Sequence, residues 1–438
     1  MLAHAEGLAF CAHAGLRQYS EVLSEVGIKT LKQNNARGIL ELMRQADVIS
    51  VAAVSERIGL SKTTVKKIID LLCSMNLACS AGKGLSTEEG GKKPELFRFN
   101  KSFGFVVSVH ITPDAILAAT TDLCGDITRL EKSEVSSARS LPVIIERLSQ
   151  TIRGLAEPKV RTGEKLVGIV VALPGLADSS QGISIFSPHY PSWGRNIPFV
   201  DILRQALSGR LDAPLFIDCV NRYQAIAEKE KGVAAGVSNF MIIDALNEGL
   251  GAGIVLHGEL LRGSQGLSGE IGHMTLDPID GPPCICGKNG CFEAMVSAKR
   301  IRRMALDAYA RGEQSVLFKD GEPAHVSLET VCEGARQEDR VCTNLIDDVA
   351  HWFAIGLGNI IMVNDPELVV IQGQYVKAGE CFLARVRNGM KQIGLPEVEK
   401  RVRIEYSQLG EERGVIGGAA FVLNDYFAHR VKFHLPRS

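Results

Sequence analysis

The feature that most constrains the fold is a regular alternation of strand-like and helix-like segments, which begins after Lys101 and continues towards the end of the chain. Short apolar runs typical of buried strands alternate with longer segments of helical periodicity. This alternation predicts an α/β architecture of two lobes with a cleft between them. The predicted strands are 105–109, 116–122, 167–173, 215–218, 240–245, 253–257 and 368–371, and the predicted helices are 141–155, 298–311 and 349–360.

The overall composition indicates a protein of several domains without a membrane span. With 438 residues, of which 45% are hydrophobic, the chain can bury more than one core. We find no uninterrupted apolar run of the roughly 18–20 residues that cross a bilayer. The first 18 residues lack the basic start of a signal peptide, so we expect a cytoplasmic location. Residues 1–27 show no strong periodicity and are treated as an N-terminal extension without an assigned function.

Residues 28–100 follow a different pattern, which precedes the alternating region. Apolar spacing predicts helices over 28–47, 51–58 and 61–74. Gly59 would form the turn before the third helix, and Ser61 is a suitable N-cap for it. Residues 77–100 predict two strands joined by a Gly-rich tip. These are the parts of a winged helix-turn-helix, a DNA-binding unit.

Charge is distributed in a way that supports this interpretation. The net charge is −1, but Lys29–Lys101 contains thirteen Lys or Arg residues against seven Asp or Glu residues. One basic module on a more acidic body is typical of a regulator that binds DNA. On the third helix we expect Thr63 and Lys66 to approach base edges and the other lysines to contact phosphates. The candidate DNA contacts are Lys62, Thr63, Lys66, Lys67, Lys92 and Lys93. A solvated helix face and a flexible basic loop are the alternatives.

The strongest chemical signal is a set of metal ligands in the second half. His273 is followed by Cys284, Cys286 and Cys291, within a segment that contains Gly287 and Gly290. Three thiolates and one imidazole make a complete tetrahedral set, which predicts a structural Zn²⁺. The remaining cysteines of the eleven are spread along the chain and are interpreted as buried apolar residues.

At this point the residues resemble the ROK family, named for its repressors, open reading frames and sugar kinases. The resemblance covers about Ile28 to Phe427. It implies an actin-like, two-lobed sugar-kinase fold of the ribonuclease H-like type, preceded here by the winged helix-turn-helix of the repressor branch. It also implies a homodimer or homotetramer. The segments that carry it are 173–175, 249–253, 269–273, 284–291, 364–367, 409–411 and 414–420.

Two kinase motifs of the family differ in this chain. The family's first phosphate loop matches Ser108–Ala115, which lacks glycine and contains Pro113, so we expect no ATP binding. The family's catalytic aspartate falls on Cys219 when Asn221 is aligned with the final Asn of the motif, whereas a shift by one residue places Asp218 there. We therefore predict a sensor without catalysis, and Asp218 would be catalytic only if the chain is a kinase.

The sugar-contacting positions match the family better. Glu270 and His273 fit its motif, Asn221 is a plausible match, and Glu293 is an additional candidate. Carboxylate, amide and imidazole groups suit sugar hydroxyls. Trp193 could line the same cleft or belong to the core.

The resulting domain prediction is 1–27 extension, 28–100 winged helix-turn-helix, 101–225 first lobe and 226–438 second lobe with the zinc loop. We predict a transcriptional regulator of carbohydrate genes, acting as a repressor, that binds operator DNA and senses a sugar or sugar derivative. The alternatives are an ATP-dependent ROK sugar kinase and a regulator controlled by a partner such as a transport protein.

Overall fold

The computed structural model describes residues 33–431 and 433, apart from 85–92, 136–138, 208–210, 246–248, 320, 324, 394 and 396–400. The predicted extension over residues 1–27 therefore lies outside the described residues, as does Lys92 at the tip of the wing. The predicted first helix is described from residue 33.

An N-terminal unit, residues 33–100, is called the head. Its helices are α1 (33–45), α2 (Val51–Ile58) and α3 (Lys62–Ser74), and its strands are β1 (Ile49–Ser50), β2 (Ala78–Lys83) and β3 (Glu95–Phe99). The three strands form an antiparallel sheet in the order β1-β3-β2. The predicted helix-turn-helix and its wing strands are confirmed.

Local signals explain the ends of the head helices. The Ser50 hydroxyl accepts a hydrogen bond from the Ala53 amide at 3.2 Å, and Ser61 accepts one from the Thr64 amide at 3.2 Å, so each serine caps a helix. Gly59 ends α2 in the left-handed region at φ 75°. Apolar side chains at helical spacing on α1 to α3 form the buried core beneath.

The first lobe contains a five-stranded sheet in the order β10-β7-β4-β5-β6. Strands β4, β7 and β10 are parallel, and β5 and β6 continue the sheet antiparallel. The elements are β4 (Gly104–Ile111), β5 (Ala115–Asp122), β6 (Ile127–Glu134), α4 (Leu141–Arg161), β7 (Lys165–Leu173), a small hairpin β8 (Leu176–Asp178) and β9 (Ile183–Phe186), α5 (Phe199–Leu207) and β10 (Leu215–Cys219). Strands β4 and β5 are buried along their whole length, including Ser108 and His110 of β4 and the polar end of β5, residues 120–122.

The second lobe repeats this plan. Its sheet has the order β13-β12-β11-β14-β15, with β11, β14 and β15 parallel. The elements are α6 (Val220–Lys231), β11 (Phe240–Ala245), β12 (Leu250–Leu256), β13 (Glu259–Leu260), α7 (Phe292–Val296), α8 (Ala298–Ala310), α9 (Leu328–Arg336), α10 (Arg340–Asn364), β14 (Leu368–Gly373), α11 (Glu380–Met390), β15 (Arg403–Tyr406) and α12 (Arg413–Asp425). The predicted α/β alternation in two lobes is confirmed.

Helix α10 has the length and apolar composition of a membrane span. Core helices pass the same test, and 56% of its most apolar window is buried in this structure. Phe353 and Leu357 of α10 lie in the core of the second lobe. The helix is therefore weak evidence for a membrane segment.

Helices α6 and α12 pack against each other between the lobes. Gly417 of α12 lies so close to the Tyr223 carbonyl that a Cβ there would overlap it. The boundary predicted at residue 226 falls inside α6, and α12 returns to pack on β4 and β7 of the first lobe. Helix α12 is followed by a π-helical turn, Tyr426–Arg430, whose aromatic side chains belong to the same core cluster as the head. The last helix thus connects the inter-lobe region with the head.

Trp193 belongs to the core. It is 5% exposed, stacks on Tyr190 with ring centroids 4.5 Å apart, and donates a hydrogen bond from Nε1 to the Arg139 carbonyl at 3.0 Å. Of the two alternatives left by the sequence, the structure shows the packed tryptophan.

Candidate functional site

The structure brings the four predicted metal ligands together. One ligand atom from each of His273, Cys284, Cys286 and Cys291 lies within 4.8 Å of all the others. Cys284 Sγ is 3.6 Å from His273 Nδ1, and Cys286 Sγ is 3.6 Å from Cys291 Sγ. Donors around a tetrahedral Zn²⁺ with bonds of about 2.0–2.3 Å would be about 3.4–3.8 Å apart. The four donors therefore fit a zinc ion.

The backbone holds this cluster in place by short-range contacts. His273 ends a single turn of 3₁₀-helix, Ile271–His273, and the Phe292 amide donates to the Met274 carbonyl at 2.8 Å. Gly290 has φ 65°, and a Cβ there would overlap the Asp277 carbonyl. Only glycine fits such an approach in this backbone region, which explains its place immediately before the last ligand.

Two carboxylates lie beside the cluster. Glu293 Oε1 lies 2.9 Å from Cys284 Sγ and 3.6 Å from His273 Nδ1. Burial raises the pKa of Glu270, an effect that the nearby His273 and Arg222 oppose. Three of the predicted sugar contacts, Glu270, His273 and Glu293, are thus neighbours at one end of the inter-lobe region.

Asn221, the fourth predicted sugar contact, lies on the first turn of α6. Its side chain lies against Gly251 of β12, where a Cβ would overlap the amide nitrogen. The next residue, Ala252, donates its amide hydrogen to the Gly269 carbonyl at 2.9 Å. Asn221 is therefore connected to the segment that carries Glu270. Gly251 and Gly253 of β12 make room for α6.

The two candidates for a catalytic base have different surroundings. Burial, followed by the charge of Glu270, raises the pKa of Cys219 to about 12. Asp218 is 1% exposed, and its Oδ1 accepts hydrogen bonds from Arg222 Nη1 at 2.6 Å and from the Cys219 amide at 2.8 Å. Its Oδ2 lies 3.5 Å from Arg262 Nε. The Asp218 carboxylate therefore lies between two guanidinium groups.

In the turn that matches the family's phosphate loop, backbone amides form hydrogen bonds with a side chain of the same turn. Thr112 Oγ1 accepts hydrogen bonds from the amides of Asp114 and Ala115, at 3.3 and 2.8 Å. Upstream, His110 is buried, and a Cβ at Gly414 of α12 would be 2.7 Å from its Nδ1. The amides of this turn therefore face a side chain of the same turn.

The predicted DNA-binding residues of α3 share one face but differ in their contacts. Lys62, Thr63 and Lys67 are exposed. Lys66 is only partly exposed, since its Nζ lies 2.7 Å from Asp70 Oδ1 and 3.3 Å from Glu95 Oε2. It also lies 4.8 Å from the ring centroid of Phe97 in the wing. Within the part of the chain that the structure describes, Lys62 and Lys67 form no ion pair, so both can meet a phosphate backbone beside Thr63.

The wing extends this surface. Lys93 is exposed at the start of the segment that leads into β3, and Lys92 lies outside the described residues. The wing strands pair in antiparallel register from Ala78 and Phe99 to Lys83 and Glu95. The exposed basic residues therefore occur on both α3 and the wing, which is the arrangement of a winged-helix DNA interface.

Comparison with known proteins agrees with the geometry. Residues 106–425 match the ROK family, and residues 33–77 match a winged helix-turn-helix DNA-binding family. The chain belongs to the ROK family. This ROK chain is 26% identical over 395 residues to the xylose repressor of Caldicellulosiruptor bescii, a match that covers 90% of this chain and 96% of that protein.

Relatives from both branches of the ROK family are similar to the chain. It is 31% identical over 280 residues to the glucokinase of Thermotoga maritima, covering 64% of this chain and 84% of that enzyme. A solved ROK family transcriptional regulator, a homologue of the Mlc protein of Escherichia coli, matches with a TM-score of 0.75 at 25% identity, covering 91% of this chain and 97% of that one. The predicted sugar-kinase fold with a winged helix-turn-helix is confirmed.

Sequence reasoning missed the arginines of this ROK site. Arg222 is 2% exposed and contacts Asp218, while Arg262 reaches the same carboxylate from a distant loop. The four-residue separation of Asp218, at the end of a predicted strand, from Arg222 was an available signal. The contact made by Arg262 had no local signal, because its partner is distant in sequence.

Proposed function

We propose that this protein is a DNA-binding transcriptional regulator of sugar metabolism, acting as a repressor. In this proposal the head binds operator DNA, and a sugar or sugar derivative binds beside Asn221, Glu270, His273 and Glu293. Ligand binding changes the relation of the two lobes and alters operator affinity. The observation that carries the proposal is the exposed polar and basic face of α3, held in a capped winged helix on the same chain as a ROK cleft.

The similarity to repressors extends over almost the whole chain and supports the proposed regulatory function. The xylose repressor and the Mlc homologue each match about nine tenths of the chain, including the head. The glucokinase match covers 64% of the chain. This chain and these two relatives contain both the head and the cleft, which favours a function that needs both parts.

Sugar recognition is supported by the kind of groups that converge. The half-buried carboxylate of Glu270, a second carboxylate and an imidazole can form hydrogen bonds with hydroxyl groups. We propose Zn²⁺ as a structural ion held by His273, Cys284, Cys286 and Cys291. When bound, it would fix the imidazole ring of His273 and shape the adjacent loop.

We propose that the chain does not phosphorylate sugars and does not bind ATP. Asp218 lies between two arginines, and the Cys219 thiol is a poor acceptor for a hydroxyl proton. The turn at Thr112 satisfies its own amides. The glucokinase likeness keeps an ATP-dependent kinase as the second candidate. A coupled assay with common hexoses and amino sugars, with Asp218→Asn as control, distinguishes the two, since turnover lost in that variant would favour the kinase.

The DNA-binding half is tested directly. Fragments bound by the full-length, zinc-loaded protein are selected from genomic DNA, and affinity is measured as a function of salt. We expect a palindromic site, because a homodimer or homotetramer in the cytoplasm would present paired heads. Protein with Lys62, Lys66 and Lys67 changed to Ala should lose salt-sensitive binding. Unchanged affinity would contradict the assignment of α3. Control by a transport protein instead of a free sugar would appear as regulation without sugar binding.

A further inference from the structure

A buried ion pair connects the two lobes next to the proposed effector site. Asp218 is the last residue but one of β10 in the first lobe, and Arg222 lies on the first turn of α6. The other end of the Arg222 guanidinium donates from Nη2 to the carbonyls of Gly266 and Ser268, the latter at 3.5 Å. Both carbonyls belong to residues 262–269, a segment of the second lobe that we call the bridging loop.

The bridging loop also contacts the first lobe directly. Arg262, its first residue, lies 3.5 Å from Asp218 Oδ2. A Cβ at Gly266 would be 3.2 Å from the Ala177 carbonyl in β8. Within the loop the Ser268 amide donates to the Arg262 carbonyl at 3.2 Å. The bridging loop thus has an internal hydrogen bond between its two ends and contacts the first lobe at Asp218 and Ala177.

The position of Arg222 is unusual on physical grounds. A cation in the first turn of a helix opposes the helix dipole. A buried ion pair also contributes little net stability, and apolar residues of similar size often replace one without loss. Stability of the fold therefore does not explain this pair. What this ion pair does specifically is orient Arg222 so that it forms its two hydrogen bonds to the bridging loop.

The loop leads straight into the effector site. Gly269 accepts a hydrogen bond from the Ala252 amide at 2.9 Å, and the next residue is Glu270. Gly269 has φ 98°, and a Cβ there would overlap the Ala252 carbonyl, so the backbone has little freedom at this point. A shift of the loop would therefore move the Glu270 carboxylate.

We propose that Asp218 and Arg222 form an inter-lobe latch that holds the bridging loop against the first lobe and so positions Glu270 for the effector. Both are positioning residues. The proposal rests on the effector site proposed above, and it adds which residues couple that site to the arrangement of the lobes.

Two variants test the latch in the full-length, zinc-loaded chain. The first, Asp218→Leu with Arg222→Met, removes both charges and keeps apolar volume, so the fold is retained while the loop loses its donors. The second, Arg222→Lys, keeps the charge beside Asp218 but lacks the planar fork that reaches two carbonyls. The matched control is Arg300→Lys, because Arg300 pairs with Asp348 and donates to the Met295 carbonyl away from the loop.

The first readout is hydrogen exchange without ligand. Both latch variants should exchange the amides of Ser268 and Ala252 at least about tenfold faster, which is the effect of losing a charge-assisted hydrogen bond. Exchange over residues 33–77 of the head should not change, and Arg300→Lys should leave the loop as in the parent. Unchanged loop exchange in both latch variants would overturn the proposal, as would equal acceleration throughout the chain.

The second readout is calorimetric binding of D-xylose and of D-glucose. For a sugar that binds the parent, the latch variants should weaken affinity by at least about tenfold, and Arg300→Lys should not. Parent affinity in the latch variants would overturn the role in positioning Glu270. If the parent binds neither sugar, the proposed effector class fails in these two cases, whereas the exchange measurement still decides whether the latch holds the loop.

Discussion

The guanidinium carbon of Arg44, on α1 of the head, lies 4.3 Å from the ring centroid of Phe427, in the π-helical turn after α12. Arg44 Nε also donates to the Leu123 carbonyl of the first lobe at 3.3 Å. Phe427 packs edge-to-face against Phe99 at the end of the wing, with centroids 6.1 Å apart. The turn that directly follows α12 therefore attaches the head to the lobes.

This attachment predicts the effect of Phe427→Ala. Removing the buried ring should lower the free energy of unfolding of the head by about 3–5 kcal/mol, because packing against Phe99 and the contact with Arg44 are both lost. Hydrogen exchange over α1 to α3 measures it. Val363→Ala is the control, since Val363 is 83% exposed. Head exchange equal to that of the parent would show that Phe427 does not hold the head.

The metal site predicts one zinc per chain. Cys286→Ser should reduce the zinc content measured by mass spectrometry and lower the melting temperature, because a structural zinc contributes directly to folding of its loop. A chelator should do the same to the parent. Cys79→Ser is the matched control, as Cys79 is exposed and lies in the wing. Equal zinc content in the two variants would contradict the assigned ligand set.

The basic surface of α3 predicts unequal contributions from its lysines. Changing both Lys62 and Lys67 to Ala should reduce the slope of log affinity against log salt by about 2, roughly one for each phosphate contact. Lys66→Ala should reduce it less, because Asp70 and Glu95 already neutralise that lysine. Titrations of labelled operator DNA at several salt concentrations measure the slopes. Lys299→Ala, on α8, serves as control, and an equal loss for all four lysines would reject this surface.

His110 predicts a pH dependence of stability. Burial, reinforced by the charge of Arg413 and partly opposed by Glu411, lowers the pKa of His110 from 6.5 to about 4. As the pH falls below 6.5 the unfolded chain takes up this proton first, so the stabilisation is complete above 6.5 and is lost between 6.5 and about 4. The loss would be at most about 3 kcal/mol.

The comparison of two variants isolates this contribution. His110→Leu should flatten the curve of melting temperature against pH in that window relative to the parent. His351→Leu, at an exposed position on α10, should follow the parent curve. A parallel shift of the His110→Leu curve, without flattening, would show that His110 does not titrate as described.

Much of the fold could be predicted because its signals are local. Ser50, Gly59 and Ser61 fix the ends of the head helices through contacts within four residues, and buried strands such as β7 and β11 are mostly apolar. The zinc ligands were predictable for the same reason, since three of them lie within eight residues and glycines allow the tight backbone.

The contacts between distant segments could not be predicted. Arg44 and Phe427 lie near opposite ends of the chain, and neither has a local pattern that names the other. Arg222 binds carbonyls of the bridging loop, and backbone acceptors carry no sequence signal. The pairing of Lys66 with Glu95 depends on how the wing folds back on α3, so the sequence carried no signal for this ion pair.

The most direct test of the central claim is operator affinity in the presence of sugars. Fluorescence anisotropy of labelled operator DNA with zinc-loaded protein would be measured with D-xylose, D-glucose and other pentoses, hexoses and amino sugars, and separately with ATP and magnesium. We predict that a sugar changes operator affinity by about fivefold or more and that ATP changes nothing. Specific operator binding unaffected by every sugar, together with ATP-dependent phosphorylation of one of them, would contradict the account.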